Sequence, residues 1–333
     1  MSDAVRPAPA AKSRQAFSRA GVLRKFGPLL GLLILSGALG LASDRFLTAD
    51  NLLNVFRQSA VNALVSLGQL AVILTAGIDL SVGSILGLCC VLVALLLHAG
   101  VPPLVSVAAA LAIGTALGAL NGILLTRLHL PHPFIPTLGM MNVARGLALV
   151  ISGGFPISEL PAGFRFVEAG SIGWIPTPVI LVLLFCAAFH VFLSRTTVGR
   201  DIYAVGGNQQ AARLSGVPVD ARLVLVYALS GLTAAAGAIV LAGRMNSGFP
   251  LAGVGAELDS IAAVVIGGAS FLGGVGTVSG TLVGTLIMGL LRNGLNLLNV
   301  SAAWQTVVIG IVIVAAVWVD IVRQRAAERG SGG

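Results

Sequence analysis

Lysine occurs at only two of the 333 positions, Lys12 and Lys25, and neither stands in a glycine-rich phosphate loop. A P-loop needs Gly-x4-Gly-Lys followed by Ser or Thr, so this chain does not hold ATP by that route. Charged residues of all kinds make up 10% of the sequence, far too few for the surface of a soluble protein of this length. Cys89, Cys90 and Cys186 all fall in apolar stretches, which argues for packing and against a disulfide framework. His98, His129, His132 and His190 are scattered without ligand spacing, so no metal site is expected. There is no Ser-His-Asp or paired-carboxylate arrangement to suggest hydrolysis, and no enzymatic activity is expected of the chain itself.

Apolar residues are plentiful, at 56% of the sequence, with a mean hydropathy of +0.99. A helical membrane crossing needs roughly 17 to 25 mainly apolar residues. That ruler predicts an all-α, polytopic transmembrane bundle of about ten spans, near residues 26–43, 58–77, 80–98, 104–125, 134–152, 178–193, 222–242, 258–272, 278–295 and 303–320. Residues 1–22, rich in Ala, Pro, Ser and Arg, read as a disordered tail, followed by a membrane domain over 23–322 and a second tail at 323–333. Residues 26–43 are too long for a signal peptide and lack a small-x-small cleavage site, so they read as a retained first helix.

Lys and Arg concentrate on the cytoplasmic side of membrane proteins. Fourteen of them, including Arg127, Arg195, Arg200, Arg213, Arg222 and Arg323, then share one side, against Arg45, Arg57, Arg165 and Arg244 on the other. Both termini are therefore expected in the cytoplasm. The net charge of +8 follows from this bias and implies no nucleic-acid partner.

Glycine occurs 43 times, and Gly114-Gly118-Gly122 and Gly276-Gly280-Gly284 place small residues on one helix face, where neighbouring backbones can approach closely. Gly77, Gly83 and Gly87 match Gly274, Gly280 and Gly284 at a constant offset, a hint of an internal repeat that fits no simple five-plus-five duplication.

Three groups of polar residues stand out. The segment 194–222, with four Arg and two Asp, is larger than a connector needs to be and suits docking of a soluble partner. Asp79 is the acidic residue amid span sequence; it either caps a helix beginning at Leu80, with Ser81 assisting, or lines a polar pathway. Asn62, Gln69, Ser84, Asn121, Asn142, Asn293 and Asn296 offer hydrogen bonds to a neutral polyol or between helices, while Arg145 and Arg292 are expected to snorkel from near span ends.

Four ordered segments carry a resemblance over residues 50–320: Gly77-Ile-Asp-Leu-Ser-Val-Gly83, Pro133 to Gly146, Gly199-Arg-Asp-Ile-Tyr-Ala-Val-Gly-Gly-Asn208 and Glu257 to Gly268. They resemble the ribose/xylose/arabinose-type permeases of bacterial ABC importers. The resemblance implies a type II importer-like fold in the inner membrane and a second permease subunit, identical or homologous. It also implies two ATPase domains that hold ATP and Mg, and a periplasmic sugar-binding protein. It assigns Thr196, Thr197, Gly199, Arg200, Asp201, Tyr203, Gly206, Gly207 and Asn208 to the loop that couples to the ATPase.

With that resemblance, Asn62, Gln69, Asp79, Ser81, Ser84 and Asn293 become candidates for the translocation pathway or gate, and Arg45, Arg165 and Arg244 for docking of the binding protein. Two departures from the family pattern are Val275, where many relatives carry a basic residue, and Pro136, expected to bend the start of the fifth span. The rival reading is a proton- or sodium-coupled transporter with Asp79 as the ion site.

Overall fold

A helix satisfies all of its backbone polar groups within one segment, which is what an apolar surrounding demands. The computed structural model describes residues 19–164 and 170–331 and is mostly helical. The helices are α1 (Arg19–Ala42), α2 (Ala49–Leu74), α3 (Val82–His98), α4 (Pro103–Arg127), α5 (Phe134–Ser152), α6 (Thr177–Arg195), α7 (Thr197–Gly207), α8 (Gln209–Leu214), α9 (Val219–Met245), α10 (Ala256–Ile266), α11 (Val278–Leu297) and α12 (Ala302–Ser331). Two short antiparallel pairs join β1 (Ile157–Ser158) to β4 (Ser247–Gly248) and β2 (Ser171–Ile172) to β3 (Ile175–Pro176). Most of the tail expected at 1–22 lies outside the described residues, although α1 already begins at Arg19, and α12 runs past the expected boundary at 322.

Every expected span overlaps a helix, yet only six helices among the described residues are long and apolar enough to cross a membrane: α4, α5, α6, α9, α11 and the 302–319 part of α12. Residues 27–42 of α1 and the whole of α3 are apolar but shorter. α2 is 26 residues long and carries Asp50, Asn51, Asn54, Arg57 and Gln58 in its first turns, which lowers its hydropathy. The span expected at 258–272 is corrected most: α10 has 11 residues, about 16 Å of helix, and the chain leaves it at Gly267 for an irregular link before α11. Pro136 falls in the first turn of α5, where no backbone N–H is required, and introduces no break.

α9 lies at the centre, packed on α4, α2 and α3. α2 in turn packs on α10 and α11, so α2–α5 and α9–α12 form two sets of four in which each first helix sits against the other set. The glycine match in the sequence is out of step with this arrangement. Gly83 and Gly87 lie on α3, whose counterpart is α10, whereas Gly280 and Gly284 lie on α11.

The two glycine stripes do hold helices together, except that Gly276 falls in the link before α11. Gly114, Gly118 and Gly122 of α4 lie directly against the α9 backbone at Gly231, Tyr227 and Val224. Gly280 and Gly284 of α11 lie against Gly267 and Ala263. A Cβ on Gly118 would sit 2.9 Å from the Gly231 nitrogen and 3.0 Å from its Cα, so a side chain there forces the helices apart. Gly118→Leu is expected to destabilise the purified protein by about 1–3 kcal/mol or more in thermal unfolding. Gly37→Leu on α1, which would meet nothing within 4 Å, is expected to change it by less than about 0.5 kcal/mol.

Candidate functional site

The polar segment between α6 and α9 folds as an elbow of two short helices. Thr196 caps α7: its hydroxyl oxygen accepts from the Gly199 N–H at 2.9 Å and its O–H donates to the Phe192 carbonyl at 2.6 Å. Gly199 is buried against the carbonyls of Phe192 and Leu193, so only a residue without Cβ lets α7 turn back this closely on α6. Asn208 caps α8 by accepting from the Ala211 N–H at 2.9 Å. Spacing then sorts the faces. Gly199, Ile202 and Val205 point into the bundle, while Thr197, Arg200, Ala204, Gly207 and Asn208 are exposed.

Two of the expected coupling residues are engaged within the chain. Asp201 accepts from Arg222 of α9, Nε and Nη2 both at 2.9 Å from Oδ2, a partly shielded pair that fixes the elbow to the central helix. The Tyr203 hydroxyl donates to the Gly276 carbonyl at 2.9 Å. Burial pushes the Tyr203 phenol up from its ordinary value, which keeps this donor protonated through the physiological range. Arg213 and Asp220 pair at 2.6 Å but are largely exposed, so the pair adds little. Leu214, 91% exposed, is an apolar side chain left bare at the tip of the elbow.

The end of α7 is seated where two breaks in the bundle meet. Gly206 touches the Leu74 carbonyl at the end of α2 and the Gly274 nitrogen in the α10–α11 link. Gly274 N–H donates to that same Leu74 carbonyl at 2.9 Å. Gly273 and Gly274 both adopt left-handed φ, +89° and +70°, which lets the link fold tightly against Ala76 and Gly206.

A few residues beyond that seat, the α2–α3 link carries Asp79, which is wholly buried. Its Oδ1 accepts from the Ser81 N–H at 2.9 Å and the Ser81 O–H at 2.6 Å. The helix begins at Val82, two residues later than the sequence suggests, and Ser81 at its N-cap makes no side-chain cap bond. Asp79 thus closes a turn ahead of the helix instead of capping α3. Asn121 of α4 donates to the Ser81 hydroxyl oxygen at 2.8 Å, and Ser230 of α9 faces the carboxyl.

The other pathway candidates are not gathered here. Gln69 and Ser84 are buried inside the helix packing, and Asn62 accepts from Ser66 on its own helix at 3.4 Å. Asn293 exchanges two amide hydrogen bonds with Asn51, at 2.9 and 3.0 Å. Asn142 of α5 is exposed and donates to the Leu138 carbonyl on its own helix. Arg292 and Arg145 both find partners within the chain: Arg292 pairs with Asp259 at 2.6 Å, and Arg145 donates to the carbonyls of Pro250 and Ala252 at 2.9 and 3.0 Å. The Asp259–Arg292 pair was readable as one rare acid and one rare base on neighbouring apolar stretches.

Arg45 and Arg244 are both exposed, and they share the end opposite the elbow, because α2 and α9 run antiparallel, with Gly68 against Ser230 and Gly237 against Val61 and Val65. Arg165 lies outside the described residues. The 152–177 segment is less free than its length suggests. Leu160 and Phe164 are buried in the core, and Asn246 and His98 hold its backbone through Glu159, Leu160 and Ser158.

Residues 51–317 match a family model described as branched-chain amino acid transport system / permease component. The chain belongs to that family of permeases and is an integral membrane protein. Among its relatives is the ribose import permease protein RbsC of Bacillus subtilis (strain 168), 46% identical over 302 residues, which cover 90% of this chain and 94% of the relative. The protein of the same name from Escherichia coli (strain K12) is 43% identical over 320 residues, 93% of this chain and 98% of the relative. The D-allose transport system permease protein AlsC of the same strain is 40% identical over 312 residues, 93% and 95% of the two chains. No solved structure matches the chain.

The seat of α7 predicts a graded response. Gly206→Ala has no room unless Leu74 or Gly274 moves, and is expected to destabilise the protein by about 1–3 kcal/mol. Tyr203→Phe removes one hydrogen bond and is expected to cost about 0.5–1.5 kcal/mol. Thermal unfolding of the purified variants measures both.

Proposed function

We propose that this chain is the membrane-spanning permease subunit of an ATP-driven ABC importer and forms the path for a monosaccharide of the ribose, allose or xylose kind. The observation that carries the reading is the elbow α7–α8, which turns one face into the bundle and leaves Arg200, Ala204, Gly207, Asn208 and Leu214 bare for a partner. The family description names branched-chain amino acids, while the relatives that cover most of the chain are named for sugars. Identities of 46% and 40% to the ribose and D-allose permeases favour the sugar.

In this reading α1 to α6 and α9 to α12 enter the membrane as ten spans of a type II importer, α10 only part of the way, with both termini and the elbow in the cytoplasm. ATP and Mg stay in the partner ATPase, whose closure pushes on the elbow. Gly206 and Tyr203 pass that push to the end of α2 and to the α10–α11 link, since both are in backbone contact with α7. Binding protein docks at the opposite end, near Arg45 and Arg244, where rim charges steer encounter.

Asp79, Ser81, Ser84 and Gln69 are buried within one subunit and do not face a passage between two. A second permease subunit would instead close a path along the exposed face of α5 at Gly139, Asn142 and Gly146, where a neutral polyol finds an amide and open backbone. Weak contacts of this kind suit entry and release.

The test is assembly. Substituting Arg200→Glu and Leu214→Asp together leaves the buried face of α7 intact, and is expected to weaken co-purification of the ATPase subunit by about tenfold or more. Unchanged co-purification and unchanged ATP-dependent sugar uptake would rule the elbow out as the docking site.

A further inference from the structure

Asp79 does no work in the function just described, yet its surroundings are specific. α3 begins beside it, α4 contributes Asn121, α9 contributes Tyr227 and Ser230, and α5 reaches the link through Thr137, whose hydroxyl lies 3.4 Å from the Ile78 carbonyl. Tyr227 is the other titratable group here, and its O–H lies 3.4 Å from the same Ile78 carbonyl. Among the described residues no Arg, Lys or His forms an ion pair with Asp79. A fully buried carboxylate without a cation is among the most costly groups a protein can hold.

The hydrogen bonds are also lopsided. Both Ser81 donors fall on Asp79 Oδ1, whereas Asp79 Oδ2, Ser230 Oγ and Asn121 Oδ1 are buried without partners. Asn121 gives one of its two amide N–H donors to Ser81, and neither reaches Asp79 Oδ2. Ser230 faces the carboxyl without bonding to it as placed; with a proton on Oδ2, a small approach of the two side chains would let Asp79 donate to Ser230 Oγ, closing two of those three atoms and removing the charge. Ser230 donating to an ionised carboxylate would close the same two but leave a negative charge with nothing to balance it.

We propose that Asp79 is held as a neutral carboxylic acid that pins the α2–α3 link to α9 through Ser230, and that it neither binds nor releases an ion during transport. It is a positioning residue: the link it pins starts at Thr75, directly after the Leu74 carbonyl on which α7 rests. The proton stays on Asp79 throughout, so no co-reactant is required. The pin holds the link in place while the elbow moves against its other end.

Asn is the isostere of the acid, with one acceptor and one donor in the same plane, while Ala removes both. Infrared spectra of the purified chain in lipid nanodiscs are expected to show the carbonyl stretch of a protonated carboxylic acid, and Asp79→Asn is expected to abolish that band. Uptake by cells carrying the complete importer rests on the function proposed above. There Asp79→Asn is expected to stay within about twofold of the unsubstituted chain from mildly acidic to mildly alkaline pH, and Asp79→Ala to fall about tenfold or more. A missing band, a band that survives in Asp79→Asn, or a folded Asp79→Asn chain as inactive as Asp79→Ala would overturn the proposal. Should Asp79→Ala fail to fold, the spectra and the Asn variant still decide. Loss of ATP-dependent uptake in every chain, the unsubstituted one included, would count against the importer reading and leave the infrared result standing.

Discussion

Close approach of backbones is the constraint on which this structure rests. Within a bilayer, helices gain little from moving out of one apolar medium into another, so contact distance and internal hydrogen bonds must hold them. Here the central helix α9 meets α4 along Gly114, Gly118 and Gly122, with Gly231 facing them, and meets α2 at Gly68. Once α9 is fixed, the rest is placed by what it touches. Tyr227 and Ser230 bring it to the α2–α3 link, and Arg222 ties its first turn to Asp201 of the elbow.

The same device recurs at the seat of α7. Gly206, Gly273 and Gly274 let three stretches of backbone meet without side chains between them, and the Tyr203 hydroxyl reaches across to Gly276. Contact of this kind transmits displacement because there is no flexible side chain to absorb it. The α10–α11 link and the α2–α3 link end on the same short helix, so a shift of that helix acts on both sets of four at once. Charges inside the bundle are settled locally: Arg292 by Asp259, and Arg145 by two carbonyls. The surface arginines Arg45, Arg200 and Arg244 form no ion pair among the described residues.

Much of this could be read from the residues. Apolar runs located every helix of the bundle, and the spacing of Gly114 and Gly276 announced helix contacts that the structure contains. The motif Gly199 to Asn208 marked the elbow. The reading failed where local sequence is ambiguous. An apolar run such as 258–272 does not reveal that helix stops at Ile266, although the pairs Gly267-Gly268 and Gly273-Gly274 carried that signal. Pairing is a tertiary property, so nothing near Asn293 pointed to Asn51, and nothing near Asp201 pointed to Arg222. Asp79 lay too close to a helix start to be distinguished from a cap; Ser81 is its bonded partner, and the groups that surround this pair, Asn121 and Ser230, come from distant helices. The glycine match between the two halves reflected a shared need for close packing and fell out of register with the symmetry of the fold.

The central claim is that this chain is a conduit moved by an ATP-hydrolysing neighbour through α7. Its most direct test is reconstitution into liposomes with and without the ATPase subunit and binding protein, following labelled sugar. Accumulation is predicted only when all components and ATP are present, and is predicted to persist when proton and sodium gradients are collapsed. Accumulation by the chain alone, driven by an ion gradient and independent of ATP, would contradict the account.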